Sequence, residues 1–304
     1  MKRMTSVLAL TTAAILGLSA CGGGGDPLSS DSPSASGSAG GGAVVIGSAD
    51  FPESELLAEI YAGALKAKGI DATTKPRIGS REIYLKALED GSIQAIPEYT
   101  GALGFFYDKN FKETDPEKVY TAIQSLIPAK FALLEKSAAE DNDSIVVTKE
   151  TADSKSLKTI DDLKAVAGEL SLGAPPEFKA RPQGVPGLTK TYGVTFKSFR
   201  ALTGQGLVQA LKNGQVDAAN IFTTDPSIAE NGFVSLEDTK KLFGSQNIVP
   251  LVAKDRSEEL APTLNAVSKA LTTEVISGLL KQTVTDKKDA KDVAAEFLKS
   301  NNLG

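Results

Sequence analysis

Two groups of acidic residues carry the side chains of this sequence that are best suited to acid–base chemistry. Asp50, Glu53 and Glu55 form the first group, and Asp161 with Asp162 forms the second. Two carboxylates can act as acid and base in glycoside hydrolysis. Both groups, however, lie where amphipathic helices begin, and acids at such positions stabilise the helix dipole. We therefore expect these acids to support helix N-termini and not catalysis.

The composition excludes several other kinds of catalytic site. The 304 residues contain no histidine, and Cys21 is the only cysteine. Serine triads, His-ligated metal sites, thiolate clusters and intramolecular disulfides are therefore ruled out. A Walker-type phosphate loop and a Gly-x-Ser-x-Gly elbow are also missing from the sequence. These observations predict a protein that is not an enzyme and that uses no metal and no cofactor.

The first residues have the pattern of an export signal. A basic start and an apolar stretch over residues 7–18 lead to Leu-Ser-Ala followed by Cys21. The stretch is shorter than the roughly 20 residues that a spanning helix needs. The pattern predicts a signal peptide over residues 1–20 and lipidation of Cys21. Residues 21–42 are mostly Gly, Ser, Ala, Pro and Asp, which predicts a flexible linker behind the lipid anchor.

The remaining residues have the size and charge of a two-domain body that binds no nucleic acid. About 260 residues follow the linker, enough for two domains, and they contain no second long apolar segment. The formal net charge is -5 at pH 7. A negative protein is a poor partner for nucleic acids or for anionic lipid surfaces.

Short apolar runs alternate with amphipathic helices, as in an α/β fold. Apolar residues at 44–46 predict a strand, and a stripe of apolar positions along 53–68 predicts the helix that follows it. A second strand, helix and strand complete a βαβαβ unit by Pro97, and a similar unit begins near Leu170. Such an order predicts helix-flanked, mainly parallel sheets.

One helix-turn-strand segment occurs twice. Residues 87–95 align without a gap on residues 210–218, each with Asp-Gly or Asn-Gly between helix and strand. Each copy ends in an aromatic residue and a threonine, which are Tyr99-Thr100 and Phe222-Thr223. Ligands of open parallel sheets bind beyond the carboxyl ends of strands. The repeat predicts two lobes that face one another across a cleft. The alternative is that this common helix-to-strand connection recurs by coincidence.

Four segments in order over residues 43–304 resemble the family of glycine betaine, carnitine and choline binding proteins of osmoprotectant ABC importers. The segments are residues 46–54, residues 97–101, residues 173–178 with Arg181 and residues 186–188, and residues 222–225. The resemblance implies a two-lobed, type II periplasmic-binding-protein-like fold that closes on a small zwitterion or quaternary amine. It also implies that permease transmembrane subunits are partners.

The resemblance implies a cage of aromatic side chains around the quaternary ammonium and an arginine near its carboxylate. Tyr99 and Phe222 stand at two cage positions, and Phe51 is a further aromatic nearby. Arg181 is the expected anion partner, since guanidinium offers a planar two-donor fork. Thr100 and Thr223 are expected to add hydroxyls to the cleft. Packing within the core is the alternative for the aromatics, and a solvated or lobe-bridging ion pair is the alternative for Arg181.

Two other cage positions are not aromatic here. Val185 stands where relatives have a tyrosine, and the acidic run 141–144 replaces another. The expected function is therefore that of an extracytoplasmic, lipid-anchored, monomeric receptor for a quaternary ammonium osmoprotectant. A receptor for a different small zwitterion and a non-transport surface lipoprotein remain the alternatives.

The expected lobes divide the chain at two places. Residues 43–103 and 231–304 are predicted to form the first lobe, and residues 104–230 the second. The C-terminal helices are expected to return to the first lobe and close it.

Overall fold

A computed structural model describes residues 42–304 of the chain. The predicted signal peptide, the lipidation site Cys21 and all but the last residue of the predicted linker lie outside the described residues. Within the described part, no helix combines the length and apolarity needed to cross a membrane. The chain forms two five-stranded sheets with helices packed around them.

The first sheet mixes parallel and antiparallel strands in the order β2-β1-β3-β10-β4. Strand β1 runs parallel to β2 and β3, whereas β10 runs antiparallel to β3 and β4. Its strands are β1 (Val44–Gly47), β2 (Ala72–Lys75), β3 (Ala95–Tyr99), β4 (Phe131–Leu133) and β10 (Ile248–Ala253).

The second sheet has the same arrangement, in the order β7-β6-β8-β5-β9. Strand β6 is parallel to β7 and β8, and β5 is antiparallel to β8 and β9. Its strands are β5 (Ile145–Val147), β6 (Ser171–Ala174), β7 (Ser198–Ala201), β8 (Ala218–Asn220) and β9 (Val234–Leu236). The sheets were expected to be mainly parallel, but half of the strand pairings in each sheet are antiparallel. The antiparallel strands are β10 and β5, which enter their sheets in the opposite direction after a crossover between the lobes.

Eleven α-helical segments occur among residues 42–304. They are α1 (Pro52–Ala67), α2 (Arg81–Glu89), α3 (Thr100–Tyr107), α4 (Pro116–Leu126), α5 (Lys149–Lys155), α6 (Val185–Gly187), α7 (Gly204–Lys212), α8 (Ser227–Glu230), α9 (Ser257–Ala270), α10 (Thr273–Leu280) and α11 (Ala290–Ser300). Asp161 and Asp162 lie in the first turn of a 3₁₀-helix that Thr159 caps, as the sequence indicated.

The sequence repeat corresponds to equivalent parts of the two sheets. Helix α2 leads into β3, and α7 leads into β8; both strands occupy the middle of their sheets. Gly91 and Gly214 lie in the intervening turns with φ of 78° and 65°. These are left-handed conformations that glycine adopts at little cost. The Asp-Gly and Asn-Gly pairs therefore have a structural reason to recur.

The chain crosses between the sheets twice, at residues 134–144 and 237–247. The predicted boundaries at 103/104 and 230/231 differ from this division, since β4 belongs to the first sheet and β9 to the second. The two crossovers run side by side: Glu140 and Asn247 form an antiparallel bridge, and Asp141 N donates to Gln246 O at 3.1 Å. A pair of neighbouring strands is thus the covalent connection between the lobes.

The C-terminal helices return to the first lobe, as expected, and cover helix α1. Ile60 and Tyr61 of α1 are buried together with Leu264 of α9 and Phe297 of α11. Burial of such side chains contributes about 1.5–3 kcal/mol each. This packing fixes α1, whose N-terminus reaches the space between the lobes.

Replacing Ile60 with alanine should lower the free energy of unfolding by about 2–5 kcal/mol, because a cavity replaces a fully buried side chain. Ile83 on α2 is a matched control, since it is also a helical isoleucine but is 53% exposed. Ile83→Ala should change stability by no more than about 0.5 kcal/mol. Urea unfolding followed by far-UV circular dichroism measures both. Equal losses in the two variants would contradict this account of the first-lobe core.

Candidate functional site

A cleft of about 330 Å³ lies between the two sheets. The N-termini of α1 and α2 and the end of β3 line it from the first lobe. The loops after β6 and β8 line it from the second lobe, and the first crossover contributes Asp141 and Asp143. Since β3 and β8 are the middle strands, the cleft lies where parallel sheets usually bind ligands.

Three aromatic rings lie in contact along the cleft. Phe51, which immediately precedes α1, is 5.9 Å from Tyr99 and 5.4 Å from Phe222 between ring centroids. Tyr99 ends β3 and is nearly buried, while Phe51 and Phe222 are half-buried. The three predicted aromatic residues are thus brought together. Phe51 lies between the two that the repeat singled out.

A buried cluster of polar groups joins the lobes beside these rings. Thr224, in the loop after β8, places its Oγ1 2.6 Å from Glu53 Oε2 and 2.8 Å from Asp141 Oδ1. The Tyr99 hydroxyl donates to Glu53 Oε1 at 2.7 Å. Glu53 belongs to α1 of the first lobe and Asp141 to the crossover. One threonine therefore connects three separate parts of the chain.

Burial raises the pKa of both carboxyls in this cluster. The pKa of Glu53 rises because the side chain is desolvated, although hydrogen bonds from Thr224 and Tyr99 work against this. The pKa of Asp141 rises well above its ordinary value because of burial and because of the neighbouring Glu53 charge. Both effects disfavour a state in which the two carboxyls are ionised together.

The first arginine of the cleft forms a buried ion pair. Arg81 is buried at the start of α2 and binds Glu98 of β3 through two nitrogens, at 3.0 Å each. Glu98 also accepts from the Tyr84 hydroxyl at 2.6 Å. Removing one partner of a buried ion pair costs several kcal/mol, so this pair supports the cleft wall.

The second arginine, Arg181, forms an ion pair across the lobes. Its Nη2 lies 3.3 Å from Glu82 on α2 and 3.8 Å from Glu177. Burial acts to raise the pKa of Glu82, but a hydrogen bond with Ser80 and the charge of Arg181 outweigh it and lower that pKa to about 2. The lobe-bridging ion pair is the alternative that the sequence left open for this residue. A ligand carboxylate would therefore compete with Glu82 and Glu177 for this guanidinium.

The two predicted threonine hydroxyls are not in the cleft. Thr100 is buried at the start of α3, where its hydroxyl accepts from Asn247 N at 3.0 Å. Thr223 is exposed, and its hydroxyl accepts from Asn142 N at 2.9 Å. Both therefore hold the crossover strands in place. Val185 also lies away from the cleft and packs against the core of the second lobe.

Sequence reasoning missed the residues that form the buried cluster. Glu53 does lie in the first turn of α1, but it is 3% exposed and faces the cleft. A helix-terminal acid followed by a serine and an apolar run gave no sign of that burial. Thr224 adjoins the predicted Thr223, and it is the Thr224 hydroxyl that contacts Glu53 and Asp141. Among residues 42–304, no group of three or more acidic, histidine or cysteine side chains is placed to hold a metal ion.

Comparison with known proteins agrees with this geometry. A family model described as the substrate binding domain of ABC-type glycine betaine transport system matches residues 42–300. The chain is 26% identical over 273 residues to a glycine-betaine-binding protein of Pseudomonas aeruginosa, covering 85% of this chain and 88% of that protein. It is 26% identical to the carnitine transport binding protein OpuCC of Listeria monocytogenes, covering 84% and 86%.

The fold is also similar to that of a solved glycine betaine/carnitine/choline ABC transporter structure. The TM-score is 0.68 at 24% identity, and the match covers 86% of this chain and 99% of the other. The resemblance and the two-lobed α/β fold expected from the sequence are both confirmed.

Replacing Arg181 with glutamine should raise the pKa of Glu82 from about 2 toward its ordinary value of 4.5. The pKa rises because the substitution removes a positive charge that favours the ionised form of Glu82. The ion pair stabilises the folded state above the ordinary glutamate pKa, and this contribution is lost as the pH falls toward the lowered pKa. Carboxyl-carbon NMR titration measures the change. Arg200→Gln on the edge strand β7 is the control and should leave the Glu82 titration unchanged. If the pKa of Glu82 is also unchanged in Arg181→Gln, the ion pair between the lobes is refuted.

Proposed function

This chain belongs to the family of substrate-binding domains of ABC-type glycine betaine transport systems, and from that premise we propose that its cleft captures a quaternary ammonium osmoprotectant of the glycine betaine, choline or carnitine type. The captured ligand is delivered to the transmembrane subunits of an importer. The contact of Phe51 with both Tyr99 and Phe222 carries this proposal.

Aromatic faces are the natural partners of a quaternary ammonium. Such a group carries a diffuse positive charge and no hydrogen-bond donor, so it gains little from ordinary acceptors. An aromatic face attracts it by about 0.5–2 kcal/mol, depending on desolvation. A cleft of about 330 Å³ is at the small end of ligand pockets, which suits a compact molecule.

The protein acts as a receptor and does not convert its ligand. Of the carboxyls at the cleft, Glu98 does not reach the ligand space, Glu177 is paired with Arg181, and Glu53 and Asp141 are bound by the Thr224 hydroxyl. A monomer suffices for this role, because both lobes of the cleft come from one chain. A receptor for another small zwitterion and a non-transport surface lipoprotein are the alternatives, and both predict that glycine betaine, choline and carnitine do not stabilise the protein.

Incubating the purified protein with glycine betaine, choline and carnitine should raise its melting temperature saturably without consuming the ligand. A ligand at about 100 times its dissociation constant stabilises the folded state by about 2.7 kcal/mol. Differential scanning fluorimetry and chromatography of the ligand measure the two results. Consumption of a ligand would indicate an enzyme, and no stabilisation by any of them would refute the proposal.

Removing an aromatic wall should weaken binding of the ligand that stabilises most. Phe51→Leu and Phe222→Leu should each raise the dissociation constant about 5- to 30-fold, since each loses about 1–2 kcal/mol of cation–π attraction. Phe106→Leu is a matched control on α3, where the ring is 37% exposed and outside the cleft. Titration calorimetry measures the dissociation constants. Equal dissociation constants for all three variants would show that Phe51 and Phe222 do not contact the ligand.

We further propose that the protein is exported and anchored by lipid on Cys21. The support is the basic and apolar start of the sequence followed by Leu-Ser-Ala-Cys. Cys21→Ser should move the protein from the membrane fraction to the extracellular or periplasmic fraction, because it removes the only thiol that can carry the lipid anchor. Retention of Cys21→Ser in the membrane pellet would contradict lipidation at this residue.

A further inference from the structure

The charged groups of the cleft fall into two classes according to their partners. Arg81 is neutralised by Glu98, and Arg181 by Glu82 together with Glu177. Both arginines therefore already hold carboxylates from this chain. The structure offers a ligand carboxylate no arginine of the cleft that lacks an acidic partner.

The other class comprises the acids of the cleft that form no ion pair with a described lysine or arginine. Glu53 and Asp141 are the most buried of these acids, which also include Asp50, Asp143 and Asp225. Glu53 and Asp141 are 3% and 2% exposed, and neither forms an ion pair with any lysine or arginine in residues 42–304. Both nonetheless line the cleft. The first lobe and the crossover thus present two acids to the ligand without a compensating base.

The hydrogen count in this cluster requires an additional proton. The Thr224 hydroxyl has one hydrogen but lies within 2.8 Å of an oxygen of each carboxyl. It can donate to only one of them. The second short contact is attractive only if the other carboxyl is protonated and donates to Thr224 Oγ1.

We propose that Glu53, Thr224 and Asp141 form a cation subsite that exchanges one shared proton for a quaternary ammonium without a carboxylate. This rests on the proposed receptor function and narrows its ligand class. In the ligand-free protein, one carboxyl carries the proton. On binding, that proton leaves to the solvent, and the resulting carboxylate charge is balanced by the ligand cation.

The surroundings of the cluster favour this exchange. Burial first, and then neighbouring negative charge, raises the pKa of both carboxyls. The groups that act on the pair come from four elements: Tyr61 of α1, Tyr99 of β3, Asp143 of the crossover, and Asp225 after β8. All are phenolic or acidic, so none compensates the negative charge of the cluster. A bound cation would do so.

Tyr99 connects the subsite to the aromatic walls. Its ring contacts Phe51, and its hydroxyl donates to Glu53. A cation against the aromatic rings is therefore close to the acid pair, at short range and in a poorly solvated space where charges interact strongly. A zwitterion would bring a further negative charge to a cleft in which both arginines already pair with carboxylates of the protein. Choline, whose hydroxyl is neutral, avoids that cost.

Titration calorimetry in buffers of different ionisation enthalpy counts the protons released. Choline binding should release about one proton at a pH where the pair still shares it, and its affinity should rise by up to about tenfold per pH unit over that range. Affinity rises with pH because the ligand cation favours the form of the acid pair that has lost its proton. Choline should also bind at least about tenfold more tightly than glycine betaine.

Glu53→Gln should abolish proton release and weaken choline at least about tenfold, while leaving glycine betaine binding much less affected. Asp141→Asn provides a second variant should Glu53→Gln fold poorly, and the same result is expected from it. Glu55→Gln is the matched control. It makes the same change two residues along α1, where Glu55 pairs with Arg77 outside the cleft, and it should keep both choline affinity and proton release.

The outcomes separate this inference from the receptor function. Tight glycine betaine binding with weak choline binding, or choline binding without proton release, would overturn the cation subsite and leave the receptor intact. Failure of every quaternary ammonium to bind would refute the receptor function and the subsite together.

Discussion

One hydroxyl group with a single hydrogen lies between two buried carboxyls, and the arrangement of the cleft depends on it. Thr224 comes from the second lobe, Glu53 from the first and Asp141 from the strand that joins them. In a medium of low polarity, two such carboxylates cannot both remain charged without a cation. The lobes therefore meet at a point where the charge state decides whether the contact is attractive.

The fold accounts for the position of this contact. Both sheets place their middle strand, β3 or β8, so that its end reaches the cleft. Helix α1 is held from behind by α9 and α11, which directs Phe51 and Glu53 into the same space. The N-terminus of α1 in the first lobe and the loop after β8 in the second lobe thus come into contact. The side-by-side crossovers place Asp141 between the two lobes.

Aromatic and acidic groups perform complementary tasks in this cleft. The rings of Phe51, Tyr99 and Phe222 provide polarisable faces that recognise a cation without hydrogen bonds. The acid pair supplies formal negative charge, and the two arginines are neutralised by carboxylates of the protein itself. The arginines therefore shape the cleft and link its walls, while the acids set the charge of the molecule that fits.

Local patterns of the sequence predicted the parts of the fold that depend on local interactions. Helix α1 followed from its apolar stripe, and the repeat around Gly91 and Gly214 followed from turn chemistry. The lobe boundaries could not be predicted from local patterns, because β4 and β9 are three-residue strands that are defined only by distant partners. The aromatic residues were identifiable from their places at strand ends. The roles of Glu53 and Thr224 were not, because burial and a contact between residues 171 positions apart leave no local signature.

The central claim concerns the position of one proton, and neutron diffraction from crystals of the ligand-free, deuterated protein near neutral pH observes it directly. We predict one deuteron on a carboxyl oxygen of Glu53 or Asp141, directed at Thr224 Oγ1 or at the other carboxyl, in addition to the deuteron of the Thr224 hydroxyl itself. A map in which neither carboxyl carries a deuteron, with both acids ionised and no cation beside them, would contradict the account.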